Sequence, residues 1–273
     1  MAVMSYGSDF VLTLFTNDPA LARRADAAGI DRIGPDLERG AKALRQDPSE
    51  RWISNHQEQD LSAIVDNLSQ AKAFCRTSAP NDGLKDQVNR VISLGAKVVM
   101  LPYFLELGDV VRFVEYVNGR ANVVLLVETA AAAARIHDIV RLDGVDEIHV
   151  GLNDLYLSFR LNDQLEAMAS PVLKMISDTT REAGLPFGFG GIGRYGDSRL
   201  PVASDLVYAQ HPRLGSTRAL VSRVFFGSDP DALDLTAEVA RFRKRMDYWA
   251  SCSPKELQAA HDDFRHAVQK RTK

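Results

Sequence analysis

Two acidic residues, Glu128 and Asp154, each follow a run that is otherwise apolar. "ANVVLLVET" closes on Glu128 and Thr129, and "VDEIHVGLND" runs out into Asn153 and Asp154. Upstream, "IDRIGPDLE" ends with Asp36 and Glu38, two apart and so on one side of an extended chain, and "AKAFCRTS" carries Arg76 at its end. Carboxylates brought to one place repel each other unless a proton or a cation intervenes. Hard oxygen donors with no Cys or His among them favour Mg²⁺ or Mn²⁺ over Zn²⁺. Taken singly, each acid reads as a solvated strand end or a helix cap. Glu128 and Asp154 together read as metal ligands, with Asp36 and Glu38 supporting them from behind.

These residues need a scaffold that ends several strands at one place. The chain alternates strand and helix signals. Strand candidates are "FVLTLFT", "IDRIGPDLE", "AKAFCRTS", "AKVVMLPYF", "ANVVLLVET", "VDEIHVGLND", "LPFGFGGI" and "RALVSRVFFG". Between them lie helical segments such as "DPALARRADAAG", with Pro19 early and Gly29 at the stop, and "QEQDLSAIVDNLSQ", with Leu61, Ile64, Val65 and Leu68 at helical spacing. "AAAAARIHDIVRLDG" reads as one helix, and "QLEAMASPVLKMISDTTREAG" as a helix interrupted near Pro171. Eight strand–helix units predict an α/β fold, a (β/α)₈ TIM barrel over residues 1–250, whose site lies at the C-terminal strand ends. An open doubly wound sheet is the rival. No Gly-x-Gly-x-x-Gly follows the first strand, and the glycine-rich "GFGGIG" comes only at the seventh.

A further helix is expected in residues 251–273. Ser253, Pro254 and Glu256 form a capping-box pattern, and Leu257, Ala260, Phe264 and Val268 fall near one face. With eight barrel helices already assigned, this stripe is expected to pack on a partner subunit, with Tyr248 and Trp249 as interface aromatics.

A net charge of −3 with no basic stripe argues against nucleic acid and against an anionic membrane surface. Two cysteines, Cys75 and Cys252, supply neither a disulfide framework nor metal-ligand spacing. No leader or membrane-spanning run is recognised, and a cytoplasmic location is expected.

"LLVET" followed by "GVDEIHVGLNDL" resembles the HpcH/HpaI aldolase and citrate lyase β-subunit family, as does the separation of 26 residues between Glu128 and Asp154. "VVMLPYF" is similar to the family's fourth strand, "FCRTSAPND" to its third, and "DLERGAKALRQ" to the second-strand region of its lyase branch. The similarity spans roughly Leu14 to Gly190. It implies a Mg²⁺- or Mn²⁺-dependent carbon–carbon lyase. Glu128 and Asp154 would hold the ion against a 2-oxo acid such as pyruvate, and an aldehyde or acyl acceptor would be the second substrate. Arg76 would reach the keto oxygen, and Thr129, Gly151, Leu152, Asn153 and Pro102 would contact substrate. The family also implies a homo-oligomer, a hexamer or trimer of dimers. No lysine Schiff base is required, because an ion and a guanidinium can stabilise the enolate charge where it develops.

One position departs from the family. The aldolase branch carries a proton-transferring histidine just after the second-strand acids, and here that residue is Arg39. A guanidinium stays protonated and is a poor base. A metal-bound water or His56, in the following loop, would take the role, while Arg39 would bind an anionic group or lie on the surface. Backbone N–H groups at the start of the "TAAAA" helix offer a further carboxylate site. His149 reads as a satisfied core histidine, and His137 and Asp146 as structural. "HPRLGSTR" reads as a turn before the eighth strand. A citryl- or malyl-CoA-type thioester lyase, supported by "DLE", and a catalytically silent barrel serving as a binding subunit are the alternatives.

Overall fold

The computed structural model describes residues 5–38, 54–227 and 229–271. Eight strands, β1 (Val11–Phe15), β2 (Arg32–Gly34), β3 (Lys72–Arg76), β4 (Val98–Leu101), β5 (Asn122–Val127), β6 (Glu147–Val150), β7 (Phe187–Ile192) and β8 (Arg218–Val221), run parallel in sequence order. β1 pairs with β8 to close the barrel. The expected (β/α)₈ architecture is the one observed.

The two-residue period of the strands sorts the apolar residues into two populations. Val124 and Leu126 of β5 meet Phe74 of β3 and Val98 and Met100 of β4 inside the barrel. Val123, Leu125 and Val127 join Cys75, Val99 and Leu101 in the layer under the helices. The same parity carries Arg76 inward two residues after Phe74, and Glu128 inward two after Leu126.

At the opposite end of the lumen lies an ionic layer. Glu147 of β6 takes both Arg32 of β2, at 2.8 and 3.0 Å, and Arg218 of β8. Glu147 is buried. Burial works to raise its pKa, but the two guanidiniums prevail and hold it below the ordinary glutamate range. His149, on the same inward register, is buried at 1% exposure, lies 3.3 Å from the Gly190 carbonyl oxygen, and is lowered to about 4 chiefly by burial. It is the core histidine expected. Asp146 accepts the Val123 N–H at 2.7 Å, also a structural role, and His137 is exposed on an outer helix.

Several local expectations are corrected. The helix read through residues 57–70 spans only Asp60–Val65, and the alanine segment splits into Ala130–Ala134 and Ile136–Ile139. β6 ends at Val150, so Asn153 and Asp154 lie in the first turn of a helix, Leu152–Ser158, not on a strand. Leu152 and Leu155, three apart, bury one face of that helix in the core. His211–Leu214 complete the helix Ser204–Leu214 before the turn begins at Gly215, whose φ of 65° suits a helix stop. Arg213 there donates to Gln210, at 2.9 Å.

The C-terminal helix Pro254–Arg271 opens with the expected capping box: Ser253 N–H donates to Glu256 Oε2 at 2.7 Å, and Glu256 N–H to Ser253 Oγ at 3.3 Å. Its stripe does not need a partner subunit for cover. Phe264 and Val268 enter the same core as Leu165, Met168, Val207 and Leu214, and Ala260 enters the core that contains Met246. His261 meets Gln210 at 2.8 Å. Beside the eighth barrel helix, Leu235–Ser251, the helix Ser204–Leu214 leaves a groove that this stripe fills. Trp249, expected at an interface, is buried in its own chain and donates to Asp205 at 2.9 Å, with Arg245 over both its ring and that of Tyr248.

Glu147→Gln should destabilise the barrel by about 3–5 kcal/mol, since two buried guanidiniums lose their counter-charge. The depressed pKa stabilises the native state above the ordinary glutamate value of about 4.3, and this contribution is lost as pH falls through the lower folded value. Urea unfolding between neutral and acid pH should show that decline in the wild type and a smaller one in the variant; equal stabilities at neutral pH would refute the assignment.

Candidate active site

The C-terminal strand ends surround a cavity of about 690 Å³ whose lining includes Asp36, His56, Arg76, Glu128, Gly151, Leu152, Asn153 and Asp154. Pro102 and Thr129 are absent from its wall, and Glu38 lies buried behind Arg76 at 3.3 Å. Arg39 lies outside the described residues.

Arg76 is held by its neighbours on the second strand's extension. Past Gly34 the chain keeps pairing with β3: Leu37 N–H donates to the Arg76 carbonyl at 2.9 Å, and Arg76 N–H to that of Pro35. Asp36 therefore stands beside Arg76 and takes its guanidinium in a two-pronged pair, Nε to Oδ1 at 2.8 Å and Nη2 to Oδ2 at 2.6 Å. The Phe15 ring covers the guanidinium at 4.8 Å. Burial alone would lower the Arg76 pKa; Asp36, then Glu38 and Glu128, override it and keep the group charged. The backbone N–H of Asp36 donates to His56 Nδ1 at 2.9 Å, which fixes the ring orientation at the cavity wall.

Glu128 is fixed from two directions. The turn after β4 places Tyr103 at a φ of 45°, and its N–H donates to Glu128 Oε1 at 2.9 Å. Such a conformation costs a non-glycine residue roughly 1 kcal/mol, offset here by a bond to a buried carboxylate. On the other side Gly151 lies so close that a Cβ there would sit 2.4 Å from Glu128 Oε2. Only glycine lets the carboxylate lie against the start of the helix that carries Asp154. The expected carboxylate site at the alanine helix is already engaged: Ala130 N–H donates to Ser158 Oγ at 2.8 Å and Ala132 N–H to Thr129 Oγ1 at 3.0 Å. Thr129 is a buried cap.

A divalent ion fits these residues. Among the described residues no group of three His, Cys, Asp or Glu forms a complete cage. Mg²⁺ is commonly held by one or two carboxylates and completes its shell with water or substrate oxygens. At the described mouth, Asp36, Glu128 and Asp154 share the cavity wall with Arg76 and a residue that sequence reasoning missed, Arg223, on the turn after β8. With Asp36 paired to Arg76, Glu128 and Asp154 are the lining carboxylates that would hold such an ion. Arg223 escaped notice because it lies past the apolar end of β8 in a stretch with no motif.

The profile of the HpcH/HpaI aldolase/citrate lyase family matches residues 10–187. The chain belongs to this family of lyase-type enzymes. A HpcH/HpaI aldolase/citrate lyase family protein from Burkholderia cenocepacia J2315 superposes with a TM-score of 0.61 at 17% identity, covering 89% of this chain and 95% of its own. A citrate lyase from Burkholderia xenovorans LB400 gives 0.59 at 15% identity over 98% and 87%. Macrophomate synthase gives 0.58 at 11% identity over 78% of each chain. At these identities the likeness is one of fold. No curated protein matches the sequence. Among the described residues no helix is long and apolar enough to cross a membrane.

Glu128→Gln and Asp154→Asn should each weaken Mn²⁺ binding severely while the barrel stays folded. Gly151→Ala keeps both carboxylates but displaces one, and should cost on the order of 10–100-fold in affinity. Calorimetric titration with Mn²⁺ decides this: wild-type affinity in all three variants would remove the metal assignment.

Proposed function

We propose that the protein is a divalent-metal-dependent carbon–carbon lyase that makes or breaks the bond next to the carbonyl of a 2-oxo acid such as pyruvate. The observation that carries this reading is the placement of Glu128 and Asp154 on one cavity wall with Arg76, whose guanidinium is locked by Asp36. Glu128 and Asp154 would hold Mg²⁺ or Mn²⁺, whose Lewis acidity supplies positive charge at the carbonyl oxygen. Cleavage or formation of the adjacent bond passes through an enolate, and its negative charge develops on that oxygen. Arg76 faces this charge with a guanidinium that needs no reorientation, because Asp36 and the Phe15 ring have already set its plane.

His56 has a defined part in this reading. Its Nδ1 accepts the Asp36 N–H, so in the neutral ring Nε2 carries the proton. His56 therefore serves as a hydrogen-bond donor at the cavity wall, and the proton-accepting role of the family's histidine is not its own. The apolar walls around Leu14, Leu126 and Leu220 limit water at the reacting carbon.

Deuterium exchange at the pyruvate methyl, with and without Mn²⁺, tests the enolate without knowledge of the second substrate. Wild type should exchange only with the ion. Arg76→Lys keeps the charge but loses the fork, and should lose on the order of 10²–10³ in exchange rate. His56→Gln retains an N–H donor and should stay close to wild type. Absence of ion-dependent exchange in the wild type would sink the proposal.

A further inference from the structure

A second cavity, of about 460 Å³, opens at the N-terminal strand ends, the other end of the barrel from the candidate active site. Its wall draws on four adjacent strands. Lys72 begins β3, Lys97 precedes β4, Asn122 begins β5 and Asp146 precedes β6. Arg120 joins them from the turn between the helix Leu107–Val117 and β5. The main chain ties these positions together. Lys97 N–H donates to the Ala73 carbonyl at 2.8 Å, Asn122 N–H to that of Lys97 at 2.9 Å, and Asp146 N–H to that of Val123 at 3.1 Å. This face of a (β/α)₈ barrel ordinarily serves stability, yet the cavity has the volume of a small-molecule site, for which roughly 300–1,000 Å³ is usual.

Three of the described lining side chains, Lys72, Lys97 and Arg120, are cationic, and one, Asp146, is anionic. Asp146 Oδ2 is engaged by the Val123 N–H at 2.7 Å, which holds the carboxylate against the strand. Neutral oxygens orient Arg120. Its Nε donates to the Val117 carbonyl at 3.0 Å, and its Nη2 to the Tyr116 carbonyl at 2.5 Å and to Asn89 Oδ1 at 2.7 Å. The two carbonyls close the helix Leu107–Val117, and their partial charge fixes the guanidinium plane without a full counter-charge. Among the described residues, Lys72 and Lys97 form no ion pair.

Two glycines shape the space between these cations. Gly144 packs so closely on Val114 that a Cβ would lie 2.6 Å from its Cγ1, which closes one side of the cavity. Gly119 borders it beside Arg120, and a Cβ there would meet nothing within 4 Å, so that side stays open. A phosphate monoester carries about two negative charges at neutral pH and three acceptor oxygens. That charge matches the excess of three lining cations over one acid. Each ammonium meets a phosphate oxygen as a point charge, and the guanidinium meets it as a planar fork.

We propose that this cavity binds a phosphorylated small molecule, with the phosphate dianion among Lys72, Lys97 and Arg120 and the organic part against Asn122 and Val114. The site is separate from the one at the C-terminal strand ends. Lys72 and Arg76 lie four residues apart on β3, about 13 Å of extended chain, so one small phosphate does not reach both. The proposal is independent of the lyase reading.

Calorimetric titration of the full-length protein with glycerol 1-phosphate, in the absence of divalent ions, tests this, with succinate as a dianion that lacks phosphate. Wild type should bind glycerol 1-phosphate, and succinate more weakly. Lys72→Gln and Lys97→Gln should each weaken phosphate binding on the order of tenfold, as expected for loss of one charge-assisted contact, and the double variant should weaken it further. Arg120→Lys keeps the charge but loses the fork, and should also bind more weakly. Both lysines are exposed, so the double variant should keep the thermal unfolding of the wild type. A wild type that does not bind glycerol 1-phosphate, a folded double lysine variant with unchanged affinity, or succinate bound as tightly as the phosphate would each overturn the proposal.

Discussion

Eight short strands closed into a ring leave a lumen that only every second residue can enter, and most of this structure follows from that limit. Val124, Leu126, Phe74, Val98 and Met100 fill the middle and exclude water from it. The charged residues of the inward register are forced to the two ends. At one end Arg32 and Arg218 share the carboxylate of Glu147. At the other, Arg76 and Glu128 emerge from the same register as the apolar plug beneath them. A one-residue slip in β5 would turn Glu128 into the helix layer and put Val127 at the barrel mouth in its place.

The two ends solve the cost of a buried charge differently. In the lower layer one carboxylate is shared between two guanidiniums, and the three side chains have little exposure. The charges of this layer are engaged with one another inside the barrel. The upper layer is divided. Asp36 satisfies Arg76 in a two-pronged pair, while Glu128 and Asp154 lie toward β5 and β6 and Arg223 toward β8. At this end the charges are spread around a cavity instead of being packed together in a core.

Backbone geometry supports the arrangement as much as side chains do. Tyr103 adopts a left-handed conformation to direct its N–H at Glu128, and Gly151 removes the one carbon that would push the carboxylate away. Both lie one residue or two past a strand end, where the ladder no longer dictates the path and local bonds can. The Thr129 hydroxyl, by contrast, caps its own helix and donates to the Phe104 carbonyl, which takes it away from the cavity.

The order of strands and helices, the barrel, and the inward direction of Arg76 and Glu128 could be read from the chain, because each depends on a local period of two or on apolar runs closed by an acid. The pairing of "LLVET" with "GLNDL" likewise carried the family. Other features depended on distant contacts. Asp154 looked like a strand residue until Leu152 and Leu155 found a common face in the core and turned that segment into a helix. The stripe on Pro254–Arg271 looked unpartnered because the groove beside Ser204–Leu214 exists only once both helices are laid on the barrel. His56 gained a fixed ring orientation from a backbone N–H 20 residues away. Arg223 became part of the site because closure of the ring sets β8 next to β1 and carries its turn over the same mouth as Asp36 and Arg76. Local periodicity is written in neighbouring residues, whereas the company a side chain keeps is decided by ring closure and by which surfaces must be covered.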